Sequence, residues 1–489
     1  MKSNLLNPIG GFVDGAWIGA SETGETFEVI NPATGVPLAR LPNMGARETV
    51  AAIEAAARSL APEEPAEERR RWLLEIHDRL LASKEDFARI ITGENGKPLA
   101  EARVEVDYTC GFFRFVAEEL HRTRPEPVPG RMRGCAWTIH HRPAGVVGLI
   151  APWNFPLAML GKKVAPALAT GCASVVKPAR QTPLSMLALA RLAVDAGVPR
   201  GRLNVVVGSA TPIGETLCTH PDVRLVSFTG STEVGEWLAR RCAPHLKRTT
   251  LELGGNAPFV VFDDANLDAA ADALVANKFR AAGQTCVCTN RVLVQEGAFE
   301  PFTRRVAERV RRLRVRNGMD PEADVGPLID RAQYEKVAEH VRDALRRGAR
   351  RLVGDETPPL ARDWGAFFPP TVLSGVTRDM LVSREETFGP VVAIATFASE
   401  AEAIGAANDT CYGLAAYLFS NDPARLQRLV PRLRFGHVGL NTATGPTPEA
   451  PFGGFKRSGY GREGGVEGLL EFCESQVVAH ADSLDRTRA

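Results

Sequence analysis

Two cysteines stand one residue apart in GQTCVCTN, residues 283–290, among small and polar neighbours. A thiol does chemistry where it is partly exposed and can reach its thiolate form, and is inert in apolar surroundings. Cys286, preceded by Gly283, Gln284 and Thr285, meets the local conditions for a nucleophile, although polar loops also carry incidental cysteines. A second candidate is Glu252, set between Leu251 and Leu253 just before Gly254 and Gly255. Apolar neighbours strip solvent from a carboxylate, raise its pKa and suit it to work as a general base; an exposed edge-strand glutamate is the alternative.

Two further segments could hold a ligand. In VKPARQTP, residues 176–183, an apolar run ends at Lys177, Pro178 blocks its continuation, and Thr182 and Pro183 open a helix. Ligands of open α/β sheets lie beyond the carboxyl ends of the strands, where Lys177 could hold a cofactor hydroxyl or phosphate, or be a solvated strand end. In FTGSTEVG, residues 228–235, a strand runs into Gly230, and Ser231 and Thr232 can cap a helix whose first N–H groups attract a phosphate. An ordinary strand-to-helix turn has the same pattern. The one G-x-G-x-x-G, Gly459 to Gly464, follows no expected strand and has only 25 residues after it, so it reads as a glycine-rich turn.

These residues need elements to position them. From about residue 140 to 260, short apolar runs at 145–150, 173–176, 203–207 and 225–228 alternate with amphipathic stretches at 182–196, 212–219 and 232–242. That alternation predicts a doubly wound parallel sheet of the nucleotide-binding type. It resumes after residue 258, with strands PFVVF, RVLVQ, VVAIATF and AAYLFS and helices over 265–281, 298–313 and 332–347, so a second α/β domain is expected. The first 120 residues begin rich in strands and continue as helices, which should wrap around the first α/β unit.

The 489 residues exceed one hydrophobic core, so two or three domains are expected. With 59 basic against 58 acidic residues, no electrostatic footprint for nucleic acid or anionic lipid stands out, and a small-molecule partner is expected. The basic stretch TRRVAERVRRLRVR, 303–316, has apolar residues at helical spacing and reads as one wet helix face. The start, MKSNLLNPIGGFVDG, lacks the apolar run of a signal peptide, and 144–176 is too interrupted by charge and proline to span a bilayer, so a cytoplasmic protein is expected. Nine cysteines, odd in number and irregular in spacing, suggest no disulfide framework, and C-x-C has neither redox nor zinc spacing, so no metal is expected.

The order PWNFP at 152–156, VKPARQTP, FTGSTEVG, LELGGNAP at 251–258, GQTCVC at 283–288, EETFGP at 385–390 and PFGGFKRSGYGRE at 451–463 is similar to the aldehyde dehydrogenase superfamily, from about residue 10 to 480. Within it, YTCGFFRFVAEE at 108–119 and KFRAAGQTCVC at 278–288 most resemble succinate-semialdehyde dehydrogenases. The resemblance implies that Cys286 attacks an aldehyde to give a thiohemiacetal, that Asn154 and the backbone N–H of Cys286 form the oxyanion hole, and that Glu252 activates water against the thioester. It places cofactor contacts on Trp153, Lys177, Gly230, Ser231, Glu386 and Phe388. Arg180 stands where NAD-preferring relatives carry glutamate, so NADP, or dual use of NADP and NAD, is expected. Of the two arginines and the serine that hold the succinate-semialdehyde carboxylate, one arginine matches Arg280, the other falls on Lys162, and the serine lies near Thr447. A lysine lacks the bidentate fork, so a longer or otherwise different acid-bearing semialdehyde also fits. A broad-specificity enzyme for uncharged aldehydes and a CoA-acylating dehydrogenase are the alternatives; a hydrolytic base at Glu252 argues against the latter. Cys288 is either the partner of Cys286 in a strained, reversible disulfide or a passive neighbour.

Three parts follow from the resemblance: a Rossmann-type cofactor-binding domain of residues 1–123 and 145–253, a catalytic α/β domain of 254–451, and a small β oligomerisation element of 124–144 and 465–489. A lone β flap would leave strand edges unpaired, so a homodimer or homotetramer is expected.

Overall fold

The structure, a computed structural model, describes residues 4–129, 135–354 and 365–481. The apolar runs of the first half form the expected doubly wound sheet. Its parallel strands lie in the order Arg248–Glu252, Val223–Thr229, Val146–Ile150, Ala173–Lys177 and Leu203–Val205. The chain starts at Val146–Ile150, winds out through two strands on one side, then returns to lay two more on the other. Val146–Ile150 is therefore the topological switch point, and a crevice opens beyond its carboxyl end. Burial on both faces explains why these strands read as continuous apolar runs rather than alternating ones.

Antiparallel strands close both edges. Gly11–Val13 pairs with Leu203–Val205, and Gly459–Tyr460 pairs with the end of Arg248–Glu252. The second pairing explains the glycine-rich turn. Gly459 has φ +114°, and a Cβ there would sit 1.8 Å from the Leu251 carbonyl oxygen, so no side chain fits beside the strand that carries Glu252. The helices Ala66–Ala82, Lys84–Asn95 and Leu99–Glu119 share one core with this sheet, through residues such as Trp72's neighbour Leu73, Phe87, Phe113, Leu149 and Val175.

The second sheet has seven strands, in the order Arg350–Val353, Thr371–Ser374, Val391–Phe397, Thr289–Gln295, Ala257–Val261, Ala415–Phe419 and His437–Leu440; all pairs are parallel except the first. It turns its amino ends to the cleft: Gly254 to Asn256 precede one strand, Cys286 another and Glu386 to Pro390 a third. The candidate residues of the first sheet lie at carboxyl ends of its strands, and those of the second at amino ends.

A third, antiparallel sheet joins Glu126–Val128, Cys135–Pro143 and Cys473–Ala481, with Cys473 opposite Pro143 and Ala481 opposite Cys135. Residues 130–134 and 482–489 of the expected oligomerisation element, and residues 1–3 of the first domain, lie outside the described residues. The expected helix over 298–313 is shorter, Phe299–Val310, and its basic face is countered by acids: Arg305 and Arg309 pair with Asp268 and Asp272, and Arg314 beyond it pairs with Asp324. Among the described residues no helix is long and apolar enough to cross a membrane, and no cluster of three or more His, Cys, Asp or Glu could hold a metal.

Candidate active site

Cys286 is delivered by an unusual stretch of backbone. The helix Leu267–Phe279 ends, and Ala281, Ala282 and Gly283 all take positive φ, at +50°, +55° and +75°. Two alanines in the left-handed region cost roughly 1 kcal/mol or more each and persist only where the surroundings hold them. Here the Ala281 N–H donates to Glu101 Oε2 at 2.7 Å, and Gln284 is clamped from both ends, its Nε2 donating to the Ala281 carbonyl and its Oε1 accepting from Ile329 N.

The turn sets Cys286 in the wall of a cavity of about 430 Å³ whose lining includes Asn154, Lys162, Arg280, Tyr108, Glu101 and Phe452. Asn154 Nδ2 donates one proton to the Gln284 carbonyl at 3.0 Å, which orients the amide and leaves its second proton for a ligand. The thiol departs from expectation. Burial, abetted by the Glu386 and Glu252 carboxylates, pushes it up to about 12 against the pull of Lys162 and Arg280. That direction favours the thiol over the thiolate at rest.

Glu252, the residue expected to act as the base, lies outside that cavity wall. It ends its strand 3 % exposed, and neither carboxylate oxygen has a hydrogen-bond partner. Burial, and then the charge of Glu463, hold its carboxyl well above the ordinary range. Its link to Cys286 is electrostatic. Sequence reasoning missed Glu463, which sits in the glycine-rich turn and forms ion pairs with both Lys162 and Lys163. Burial alone would raise Glu463, but the two ammonium groups hold it below its usual value. This corrects the role expected of Lys162. Its side chain lines the cavity, yet its charge is neutralised by Glu463, and that contact keeps it protonated despite burial. Only folding could reveal this, since Lys163 and Glu463 lie 300 residues apart.

Two other assignments are corrected. Thr447 is exposed and bound to Glu449 on the same loop, while Gly445 and Pro446 are the loop residues that line the cavity; proline at 446 and 448 turns the threonine outward. Cys288 is 6 % exposed, and its Sγ faces the carbonyls of Lys278 and Asn277 at 3.5 and 3.8 Å rather than the cavity. Both thiols are free, and burial raises Cys288 as well, which suits the passive neighbour and not the disulfide partner. Arg280 remains where it was expected. Its guanidinium lies 5.5 Å from the Phe155 ring, and its buried Nε has no partner.

The other candidates gather at the crevice of the first sheet. Lys177 is 5 % exposed at the end of its strand, with no hydrogen-bond or ion-pair partner for its ammonium among the described residues; burial, with help from Arg180, lowers it to about 8. The exposed Arg180 guanidinium rests 4.8 Å from the Phe27 ring and has no carboxylate partner among the described residues. Gly230 donates its N–H to the Glu252 carbonyl, and a Cβ on it would strike the Phe228 ring at 2.3 Å. Ser231 caps the helix Thr232–Cys242 by accepting from Val234 N. Across the cleft, Trp153 and Phe388 meet edge to face at 5.5 Å, and Glu386 accepts the Gly255 N–H at 3.0 Å while burial pushes its carboxyl up to about 7. A stranded ammonium, an unpaired guanidinium and a capped helix start beside one crevice suit a phosphate-bearing dinucleotide.

The sequence profile of the aldehyde dehydrogenase family matches residues 17–478. A 3-sulfolactaldehyde dehydrogenase from Pseudomonas putida is 48% identical over 96% of each chain. The succinate-semialdehyde dehydrogenase [NADP(+)] of Escherichia coli is 46% identical over 95% of this chain and 96% of its own. The crystal structure of an oxidoreductase from Marinobacter aquaeolei, 50% identical, superposes with a TM-score of 0.95 over 98% of this chain and 99% of that one.

Proposed function

The chain belongs to the aldehyde dehydrogenase family and is an NAD(P)-dependent oxidoreductase of aldehydes, and from that premise we propose that its substrate is a small acid-bearing semialdehyde, which leaves as the dicarboxylic or equivalent diacid. The observation that carries this reading is the pairing of Cys286 with Arg280 in one cavity, where Arg280 has no carboxylate partner of its own among the described residues. Arg280 is half-buried in the cavity wall with an unpartnered Nε, and a substrate acid group can meet its guanidinium with bidentate geometry.

In this mechanism Glu252, once ionised, takes the Cys286 proton, directly or through a water. The thiolate adds to the aldehyde carbon, and the carbonyl oxygen gains negative charge that the free Asn154 N–H and the Cys286 backbone N–H stabilise. NAD(P), when bound by Lys177, Arg180, Ser231 and Glu386 with Trp153 and Phe388 beside it, supplies the hydride acceptor. Glu252 then activates the water that cleaves the acyl thioester on Cys286, and the acid departs. We propose further that the cytoplasmic enzyme is a homodimer or homotetramer built through the sheet of 124–144 and 465–489, whose strand Cys473–Ala481 exposes Val477 and an unpaired edge. The cofactor and catalytic parts would be 1–123 with 145–253, and 254–451.

Initial rates with succinic semialdehyde, glutaric semialdehyde and butanal test the reading. Arg280→Gln should lower kcat/KM for the two acids by about a hundredfold and leave butanal within about twofold. Equal wild-type rates for acid and uncharged aldehydes would sink the assignment. On the cofactor side, Arg180→Glu should shift the NADP-to-NAD ratio of kcat/KM towards NAD by about a hundredfold, since it replaces a pairing cation with a repelling carboxylate; an unchanged ratio would remove Arg180 from the 2′-phosphate site.

A further inference from the structure

Among the side chains that line the cavity holding Cys286, the Thr285 hydroxyl and one carboxylate oxygen have no hydrogen-bond partner among the described residues, and only the second is an anionic acceptor. The helix Leu99–Glu119 presents Ala100, Glu101, Val104, Glu105 and Tyr108 to the cavity, the spacing of a single helical face. Two of these are carboxylates, with different fates. Glu105 is spent: one oxygen pairs with the Lys97 ammonium at 2.6 Å, and the other accepts from Leu157 N and Ala158 N. Glu101 gives only Oε2, to the Ala281 N–H, and Oε1 has no hydrogen-bond partner among the described residues. Glu101 lines the same cavity as Arg280, the cation proposed to receive the substrate's acid group, and the charge of Arg280 is felt at the Glu101 carboxyl.

Resting on that proposal, we infer that the Glu101 free oxygen is a specificity-determining acceptor, and that the preferred substrate is an acid-bearing aldehyde with a hydroxyl near its acid end. The charges around the site select hydroxyl over ammonium. Arg280 lines the cavity with no carboxylate ion-pair partner among the described residues, so a further cation meets repulsion that a neutral donor does not. Burial also pushes Glu101 up to about 7; the ionised form accepts from a hydroxyl at Oε1, and the neutral form, whose Oε2 faces the Ala281 N–H, carries its proton on Oε1 and donates to the hydroxyl oxygen. An unsubstituted semialdehyde leaves this oxygen dry and unpaired, a loss that sites built for a hydroxyl punish strongly.

The full-length enzyme is assayed with four aldehydes of four carbons: butanal, 4-oxobutanoate, 2-hydroxy-4-oxobutanoate and 2-amino-4-oxobutanoate. The hydroxy acid should exceed 4-oxobutanoate in kcat/KM by about tenfold, and the amino acid should not. Glu101→Gln keeps an oxygen for the Ala281 N–H and exchanges the free carboxylate oxygen for an amide N–H; it should lower the ratio of hydroxy acid to 4-oxobutanoate towards one. A ratio of one in the wild type, a preference for the amino acid, or a preference that survives Glu101→Gln overturns the inference. Butanal reports separately on the acid-binding premise: if it matches 4-oxobutanoate, that premise fails whatever the hydroxyl does.

Discussion

Cys286→Ala is expected to lower kcat by about four orders of magnitude or more, with the protein still folded and still binding NAD(P). The thiol is the one nucleophile lining the cavity beside the Asn154 amide, and alanine is smaller, so the backbone turn of positive φ at Ala281 and Ala282 can be retained. Circular dichroism and cofactor titration would separate lost chemistry from lost structure. Retention of more than about one per cent of the rate would remove Cys286 from the covalent step. The wild-type thiol also has a pH signature. Its proton is held at about 12, so kcat/KM should climb as pH rises through the neutral range, the direction in which a base gains the power to remove it.

Glu252→Gln is expected to stall the enzyme after its first half. With no carboxylate to activate water, kcat should fall by about a thousandfold, while a burst of up to one equivalent of reduced nicotinamide per active site survives, slower than in the wild type if Glu252 also takes the thiol proton. Rapid mixing with product quenching measures it. A variant with no burst amplitude, but with normal hydrolysis of an added thioester, would contradict the assignment. The sign of the pH effect follows from the raised carboxyl: Glu252 acts as the anion, burial and Glu463 favour its neutral form, and deacylation-limited kcat should therefore rise with pH through that elevated pKa and fall on acidification.

Much of the frame was legible before any folding. The strand ending at Lys177, the turn at Gly230 and the cap at Ser231 announce themselves through proline, glycine and hydroxyl side chains, because local backbone preference and helix capping are short-range effects. The alternating apolar runs gave away both parallel sheets for a related reason, since a strand buried on both faces must be apolar throughout. Less was readable around the thiol. A polar local sequence suggested a partly exposed thiol at Cys286, and it is half-buried, but the groups that share its cavity, from the helix Leu99–Glu119 and the segment 445–452, are set by tertiary packing.

Charge pairing shows the same division more sharply. Residue types singled out Cys286 and Glu252 as candidates, the family resemblance added Asn154 and Arg280, and the order of the motifs was enough to select the family whose profile matches 17–478. Tertiary structure alone decided that Lys162 spends its charge on Glu463, that Thr447 faces solvent, that Cys288 turns to the Asn277 and Lys278 carbonyls, and that one oxygen of Glu101 has no hydrogen-bond partner among the described residues. The physical reason is that a side chain's identity is written locally, whereas its desolvation and its partners are sums over segments that meet only when the chain is folded.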